Sequence, residues 1–284
     1  MSLLTYEDAR AKAREIREEV QEGRMPMWPA ARGFGDHLND RALSPVEIAL
    51  LTAWTSGGTP LGPDVPAAAE SPKRESPDLI LTAPRDSAPG ASSEVYVLPT
   101  RLGHDRWLAG WEFRPGSGAV AQRATLSLES GERIGTWVPP DGPVRYPPAV
   151  GVRIPAQSRL VLEMSYRKSA ERQTDRSSVA LYFAKSPLRP LGYRQLACGA
   201  TPVEAAIEVL AVEASADAAG ESIEVAAIRP DGSVEPLCLV PRFQPGHRPT
   251  FRLRNAVALP AGSVLEVRSS SPACSAGIEF AAAQ

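Results

Sequence analysis

Histidine and cysteine are scarce in this 284-residue chain, with three cysteines and three histidines. Cys198, Cys238 and Cys274 lie far apart and form no C-x-x-C pair. Free thiols in a reducing compartment are therefore the simplest expectation, with one disulfide and one leftover thiol as the alternative. Charge of one sign is also lacking. The chain has 31 Lys+Arg against 33 Asp+Glu, a net charge of -2, which is no electrostatic footprint for nucleic acid. No apolar stretch approaches the length of a membrane-spanning helix. The opening MSLLTYED has neither the basic nor the apolar region of a signal peptide. A Gly-rich phosphate loop, metal-spaced Cys/His sets and paired-carboxylate motifs are missing as well.

Proline (28) and glycine (22) are plentiful, and 43% of the residues are hydrophobic, as in a globular chain with many turns and short strands. Thr5 caps an expected helix through Ala9, Ala13, Ile16 and Val20 that stops at Gly23. Ser44-Pro45-Val46-Glu47 is a capping box with proline at the first helical position. It opens a helix through Ile48, Leu51 and Trp54 that ends at Gly57-Gly58. Residues 59–77, with Pro60, Pro63, Pro66, Pro72 and Pro77, read as a linker.

From Asp78 the hydrophobic period becomes two, as at Leu79/Leu81, Val95/Val97, Leu160/Leu162/Met164, Phe251/Leu253 and Leu265/Val267. Each run is short and bounded by turn residues, the pattern of an antiparallel sandwich. Residues 204–219, rich in Ala and Glu, also suit a helix on propensity alone. A proline-rich break at 186–190 is the natural seam between two sandwich domains. The expected fold is mainly β, two antiparallel sandwiches preceded by a short helical segment.

Several strings carry a family likeness. They are SPDLIL, VYVLPTRLGHDRWLAGWEFRPG (95–116), RYPPAVGVRIPAQSRLVLEMSY (145–166), TDRSSVALYF (174–183) and RPDGSVEPLCLVPRF (229–243). Together they resemble bacterial copper type II ascorbate-dependent monooxygenases, relatives of peptidylglycine alpha-hydroxylating monooxygenase. The start, SLLTYEDARAKAREIREEVQEGRMPMWP with LNDRALSPVEIALLTAW, resembles the back half of the c-type cytochrome domain that often precedes them. The resemblance implies a cytochrome remnant over 1–58 and the linker over 59–77. It implies two jelly-roll-like sandwiches over 78–187 and 188–284.

That family holds two copper centres, mainly with imidazoles. At the positions the resemblance assigns to ligands, this chain has Gln122 and Arg123, Ser165 with Arg167 two residues on, and Ser215 and Asp217. An arginine there repels a divalent cation, and the three histidines, His37, His104 and His247, fall elsewhere. The haem-attachment string C-x-x-C-H is missing, and Met25, at the place resembling an axial ligand, reads as core packing beside Trp28. No cofactor or metal is expected.

Other candidates have plain readings. His104-Asp105 is no dyad, since neighbours on an extended segment point to opposite faces. His37 and His247 sit among turn residues and are expected to be exposed or locally hydrogen bonded. Trp107, Trp111 and Trp137 are expected in the core. Glu163, Ser165 and Arg167 share one strand face, as a solvated or inter-domain salt-bridged face or a remnant ligand pocket. Arg242, Arg248, Arg252 and Arg254 form a basic stripe, as a solvated face or a docking surface for an acidic partner.

The resemblance with its coordinating residues replaced implies a non-catalytic structural or interaction subunit. The expected partner is a larger, membrane-bound electron-transfer or photosynthetic complex, docked without a transmembrane segment of the chain's own. A small-ligand module using the former copper cleft is the alternative. A start at an internal methionine implies the cytoplasm or the cytoplasmic face of a membrane, and a true N-terminus further upstream would imply the periplasm.

Overall fold

The computed structural model describes residues 3, 5–63, 75–84, 93–117, 120–167, 175–271 and 273–283. Most of the expected linker, residues 64–74, lies outside them, as does Thr174. The N-terminal helix forms as two pieces, α1 (Tyr6–Ala11) and α2 (Ala13–Gln21), because Lys12 leaves helical geometry at φ -113°, ψ 17°. Thr5 caps α1 by accepting from the Asp8 amide. In α3 (Pro45–Ser56) the capping box is complete, since Ser44 Oγ accepts from Glu47 N while the Glu47 carboxylate accepts from Ser44 N.

The first sandwich uses β1 (Leu79–Thr82), β2 (Ser93–Pro99), β3 (Arg106–Arg114), β4 (Ala121–Leu128) and β5 (Arg133–Trp137). It continues with β6 (Val144–Arg145), β7 (Val150–Ile154), β8 (Arg159–Tyr166), β9 (Ser178–Ala184) and β10 (Arg189–Pro190). One sheet runs β2-β8-β4-β5 and the other β1-β9-β3-β7-β10, with β6 on β3. Leu108, Trp111, Leu126, Trp137, Leu160, Leu162 and Leu181 fill the space between them. Trp107 is only half-buried.

The second sandwich uses β11 (Gly192–Ala197), β12 (Gly199–Pro202), β13 (Ile207–Ala216) and β14 (Ile223–Ile228). Its remaining strands are β15 (Val234–Val240), β16 (Thr250–Leu259), β17 (Val264–Ser269) and β18 (Cys274–Ala282). The sheets are β11-β18-β13-β16 and β12-β17-β14-β15, enclosing Val209, Val212, Val225, Leu237 and Phe251. The Ala/Glu-rich stretch that suits a helix is β13, a central strand buried on both faces. Pairing with β16 and β18 and this burial override helix propensity.

The segment after α2 serves as a strap for the second sandwich. Trp28, 8% exposed, enters its core and meets Phe251 edge-on at 5.3 Å. The strap bonds to one rim of the sandwich through Ala31 N to Leu239 O (2.7 Å). Along β16 it bonds through Leu38 N to Arg252 O (2.7 Å) and Arg254 N to Asp36 O (2.8 Å). These contacts cover one edge of each sheet, β16 in one and β15 in the other, where unpaired backbone would otherwise face water. Gly35 is required in this strap, since φ is +86° and a Cβ would sit 2.3 Å from the Leu237 carbonyl oxygen.

The strap overturns several expectations. His37 and His247 are buried, at 4% and 8% exposure. Each ring offers Nε2 to a carbonyl, His37 to Leu237 (3.0 Å) and His247 to Met27 (3.2 Å), which satisfies a polar group inside. Met25 is not core. It is 37% exposed, because Trp28 takes the interior place. Two cysteines are not free thiols. Cys198 and Cys274 are disulfide-bonded, with Cα atoms 5.2 Å apart where β11 and β18 run side by side, and only Cys238 remains as a buried thiol.

Candidate functional site

Where the two sandwiches meet, the sheet β11-β18-β13-β16 presents a polar face. In register across it lie Gln195, Gly277, Glu213 and Thr250 in one row, and Tyr193, Glu279, Ala211 and Arg252 in the next. Ser275 and Ser215 are paired in a third row. Small Ala211 stands between Glu279 and Arg252, so these long side chains meet over it as an ion pair at 3.0 Å. Gly277 leaves room for Tyr193, whose hydroxyl would be 2.3 Å from a Cβ there.

The first sandwich brings Arg123 on β4 and Arg133 on β5 to this face. Arg133 donates to Glu213 Oε1 and to Thr136 Oγ1, both at 2.5 Å, and lies 4.2 Å from the centre of the Tyr193 ring. Glu213 also accepts from Thr250 Oγ1 (2.7 Å). Arg133 and Glu213 are 17% and 12% exposed, so this pair is shielded from solvent and joins the two sandwiches. Arg189 to Glu208 (2.8 Å) and, from the strap, Arg41 to Asp141 (2.8 Å) add further ties.

Between these groups is a cavity of about 160 Å³ lined by Arg123, Arg133, Tyr193, Gln195, Glu213, Ala214, Ser215, Arg248, Ser275 and Gly277. Its charged groups are three guanidiniums and one carboxylate, a formal surplus of two positive charges. Glu213 is spent on Arg133 and Thr250, and Tyr193 donates to Gln195 (2.7 Å). Arg123 and Arg133 both have a buried Nε without a hydrogen-bond partner, but Arg133 is ion-paired to Glu213, whereas Arg123 forms no ion pair among the described residues. Burial pushes the Arg123 pKa down, the nearby Glu213 opposes that, and Arg133 and Arg248 add to it.

The five positions singled out by the resemblance are only partly brought together. Arg123 and Ser215 line the cavity, and Ser165 is the cross-strand partner of Arg123. Gln122 turns to the Gly246 carbonyl (3.1 Å), and Asp217 is exposed just beyond β13. Glu163 and Arg167 are exposed, so that strand face is solvated rather than closed over the cleft. Among the described residues no group of three His, Cys, Asp or Glu side chains is gathered for a metal ion.

The four arginines do not form one continuous exposed stripe. Arg252 is buried against Glu279 and Arg254 is paired with Asp36 (3.1 Å), while Arg248 lines the cleft and Arg242 is exposed. Alternation on β16 places Arg252 and Arg254 on one face, but Arg252 is shielded against Glu279 where the sandwiches meet, while Arg254 is exposed and neutralised by Asp36 of the strap. Asp105 is likewise occupied, accepting from Ala156 N (2.8 Å) and Arg153 Nε (3.1 Å). A larger hollow of about 530 Å³ lies between the strap and β15's end, lined by residues such as Met27, Trp28, Arg242 and His247, whose imidazole is already bonded. Sequence reasoning missed Arg133, Tyr193 and Glu213, for which only the register of two separate sandwiches is a signal. No family model matches the chain, and no curated protein is significantly similar to it.

Proposed function

We propose that this chain is a non-catalytic interaction subunit on a monooxygenase-like two-sandwich scaffold, docking through its N-terminal helical segment onto an apolar surface of a partner protein. One observation carries this reading. Eleven large apolar side chains are exposed among the described residues; Ile80, Val95, Val97 and Val234 belong to the sandwiches, and the other seven fall between Leu3 and Leu61. On α3, Val46 and Leu50 are 67% and 64% exposed, one turn apart, with Leu61 at 72% beyond the helix end. A helix apolar on all sides is normally buried, yet no residue of α3 is. An exposed apolar patch of this kind marks an interaction site.

A protein partner fits better than a lipid surface, because α3 carries Glu47 and no lysine or arginine, whereas interfacial helices are rich in basic residues. No helix among the described residues is long and apolar enough to cross a membrane. By analogy with cytochrome-coupled relatives, the partner assembly is a membrane-bound electron-transfer or photosynthetic complex. The Cys198–Cys274 disulfide supports the oxidising side of that membrane over the cytoplasmic one.

The test is the size of the native species after mild solubilisation of membranes from the source cell, with and without Leu50→Glu. The expected result is a large complex that the substitution dissociates while the melting temperature stays unchanged. A chain that is monomeric in both forms refutes the reading.

A further inference from the structure

We propose that the cleft between the two sandwiches is a binding site for a small oxyanion, held by the guanidiniums of Arg123 and Arg248 and the hydroxyls of Ser215 and Ser275. This goes beyond the docking reading and is independent of it, since the cleft and α3 share no residue.

Four observations converge. First, the cleft lining is cationic, with Arg123, Arg133 and Arg248 against the single carboxylate of Glu213. The next nearest carboxylate in the register, Glu279, is already paired with Arg252. Second, Glu213 is committed twice, to Arg133 and to Thr250, and Arg123 forms no ion pair among the described residues. Third, the buried Nε of Arg123 has no acceptor among the described residues; the Nε of Arg133 lacks one too, but the Arg133 charge is compensated by Glu213, so at Arg123 the desolvation cost is the one an incoming anion removes. Fourth, the hydroxyls of Ser215 and Ser275 stand opposite one another on β13 and β18, adding neutral donors beside the guanidiniums.

Size and shape set the ligand class. A cavity of about 160 Å³ is below the roughly 300–1,000 Å³ of sites for drug-sized molecules, so an ion or a very small acid suits it. Guanidiniums match the paired oxygens of a phosphate or carboxylate with two parallel N–H donors. Arg133 is not free to do this. Its charge is held by Glu213 and its plane by the Tyr193 ring, so it orients the wall rather than the ligand.

The experiment is calorimetric titration of the full chain, at constant ionic strength with chloride as background, using inorganic phosphate in one arm and glycerol phosphate in the other. Saturable one-to-one binding of phosphate is expected. A weaker response to glycerol phosphate assigns the site to the free ion, and an equal response assigns it to the oxyanion of a small ester. Arg123→Gln is expected to weaken binding by about tenfold or more, as loss of a charge-assisted contact does. Arg167→Gln, on the exposed strand face, leaves binding unchanged.

A purely structural role for Arg123 makes a different forecast. Arg123→Gln would then lower the melting temperature in phosphate-free buffer, whereas an anion site predicts no loss there and loss only of the phosphate-dependent rise. If that variant fails to fold, Arg248→Gln, half-buried on the cleft wall, tests the same contact. Failure of both anions to bind the folded wild-type chain overturns the proposal, as does binding unchanged in the arginine variants.

Discussion

Replacing Trp28 with alanine tests whether the strap is part of the second sandwich or merely lies on it. Trp28 is 8% exposed, and its ring meets Phe251 at 5.3 Å and His37 at 5.8 Å. A buried tryptophan removes about 150–250 Å² from water, worth about 4–6 kcal/mol at ~25 cal/mol per Å². Truncations of this kind cost about 3–5 kcal/mol in practice, because the site relaxes in part. The strap offers a second route, peeling from the sandwich instead of leaving a cavity, so the penalty is capped by its docking free energy. Hydrogen exchange separates the routes. The amides of Ala31, Leu38 and Arg254 each bridge strap and sandwich, and in Trp28→Ala their protection should fall by about two to three orders of magnitude, tenfold per 1.4 kcal/mol. Urea denaturation followed by circular dichroism measures the global loss. A loss below about 1 kcal/mol with those three amides still protected would refute the account of Trp28 as a core residue.

Four further outcomes follow from the same contacts. Arg133→Gln should cost about 3–5 kcal/mol by leaving Glu213 buried without its cation, and the double variant Arg133→Leu/Glu213→Leu should recover most of it in chemical denaturation. Burial holds the pKa of both His37 and His247 below the ordinary histidine value, so the unfolded chain takes up protons before the folded one. Stability should be full above about pH 6.5 and decline as pH falls below it, a slope that His37→Gln/His247→Gln flattens in denaturation curves at successive pH values. Reduction of the Cys198–Cys274 bond, which closes a separation of 76 residues, should cost about 4 kcal/mol, and alkylation of the denatured, unreduced chain should label one cysteine, not three. Gly35→Ala should lose about 2–3 kcal/mol in thermal denaturation, from its positive φ and the collision with the Leu237 carbonyl.

Much of the fold is legible in local pattern. Period-two alternation marks β8 and β17, and the Ser44–Glu47 box marks the start of α3, because these signals act over a few residues. The candidate site is far less legible. Arg123 is singled out in sequence as a departure from a family's ligand, yet what makes it interesting is that Glu213 prefers Arg133, a choice made between residues 80 positions apart. The arginine stripe fails for a related reason. Alternation correctly places Arg252 and Arg254 on one face, but it carries no information about which of them is shielded, Arg252 against Glu279, and which stays exposed, Arg254 beside Asp36.

By itself, the sequence determined the mainly β class and the helix caps, matters of residue type and near-neighbour spacing. Only the tertiary structure decided that residues 28–39 cover the β15 and β16 edges of the second sandwich, that His37 and His247 are interior, and that Cys198 meets Cys274. It alone also assembled a cationic cleft from β4, β5, β11, β13 and β18. Those outcomes depend on which strands become neighbours and which faces meet, and they are set by burial and charge pairing across long separations, where no local signal reaches.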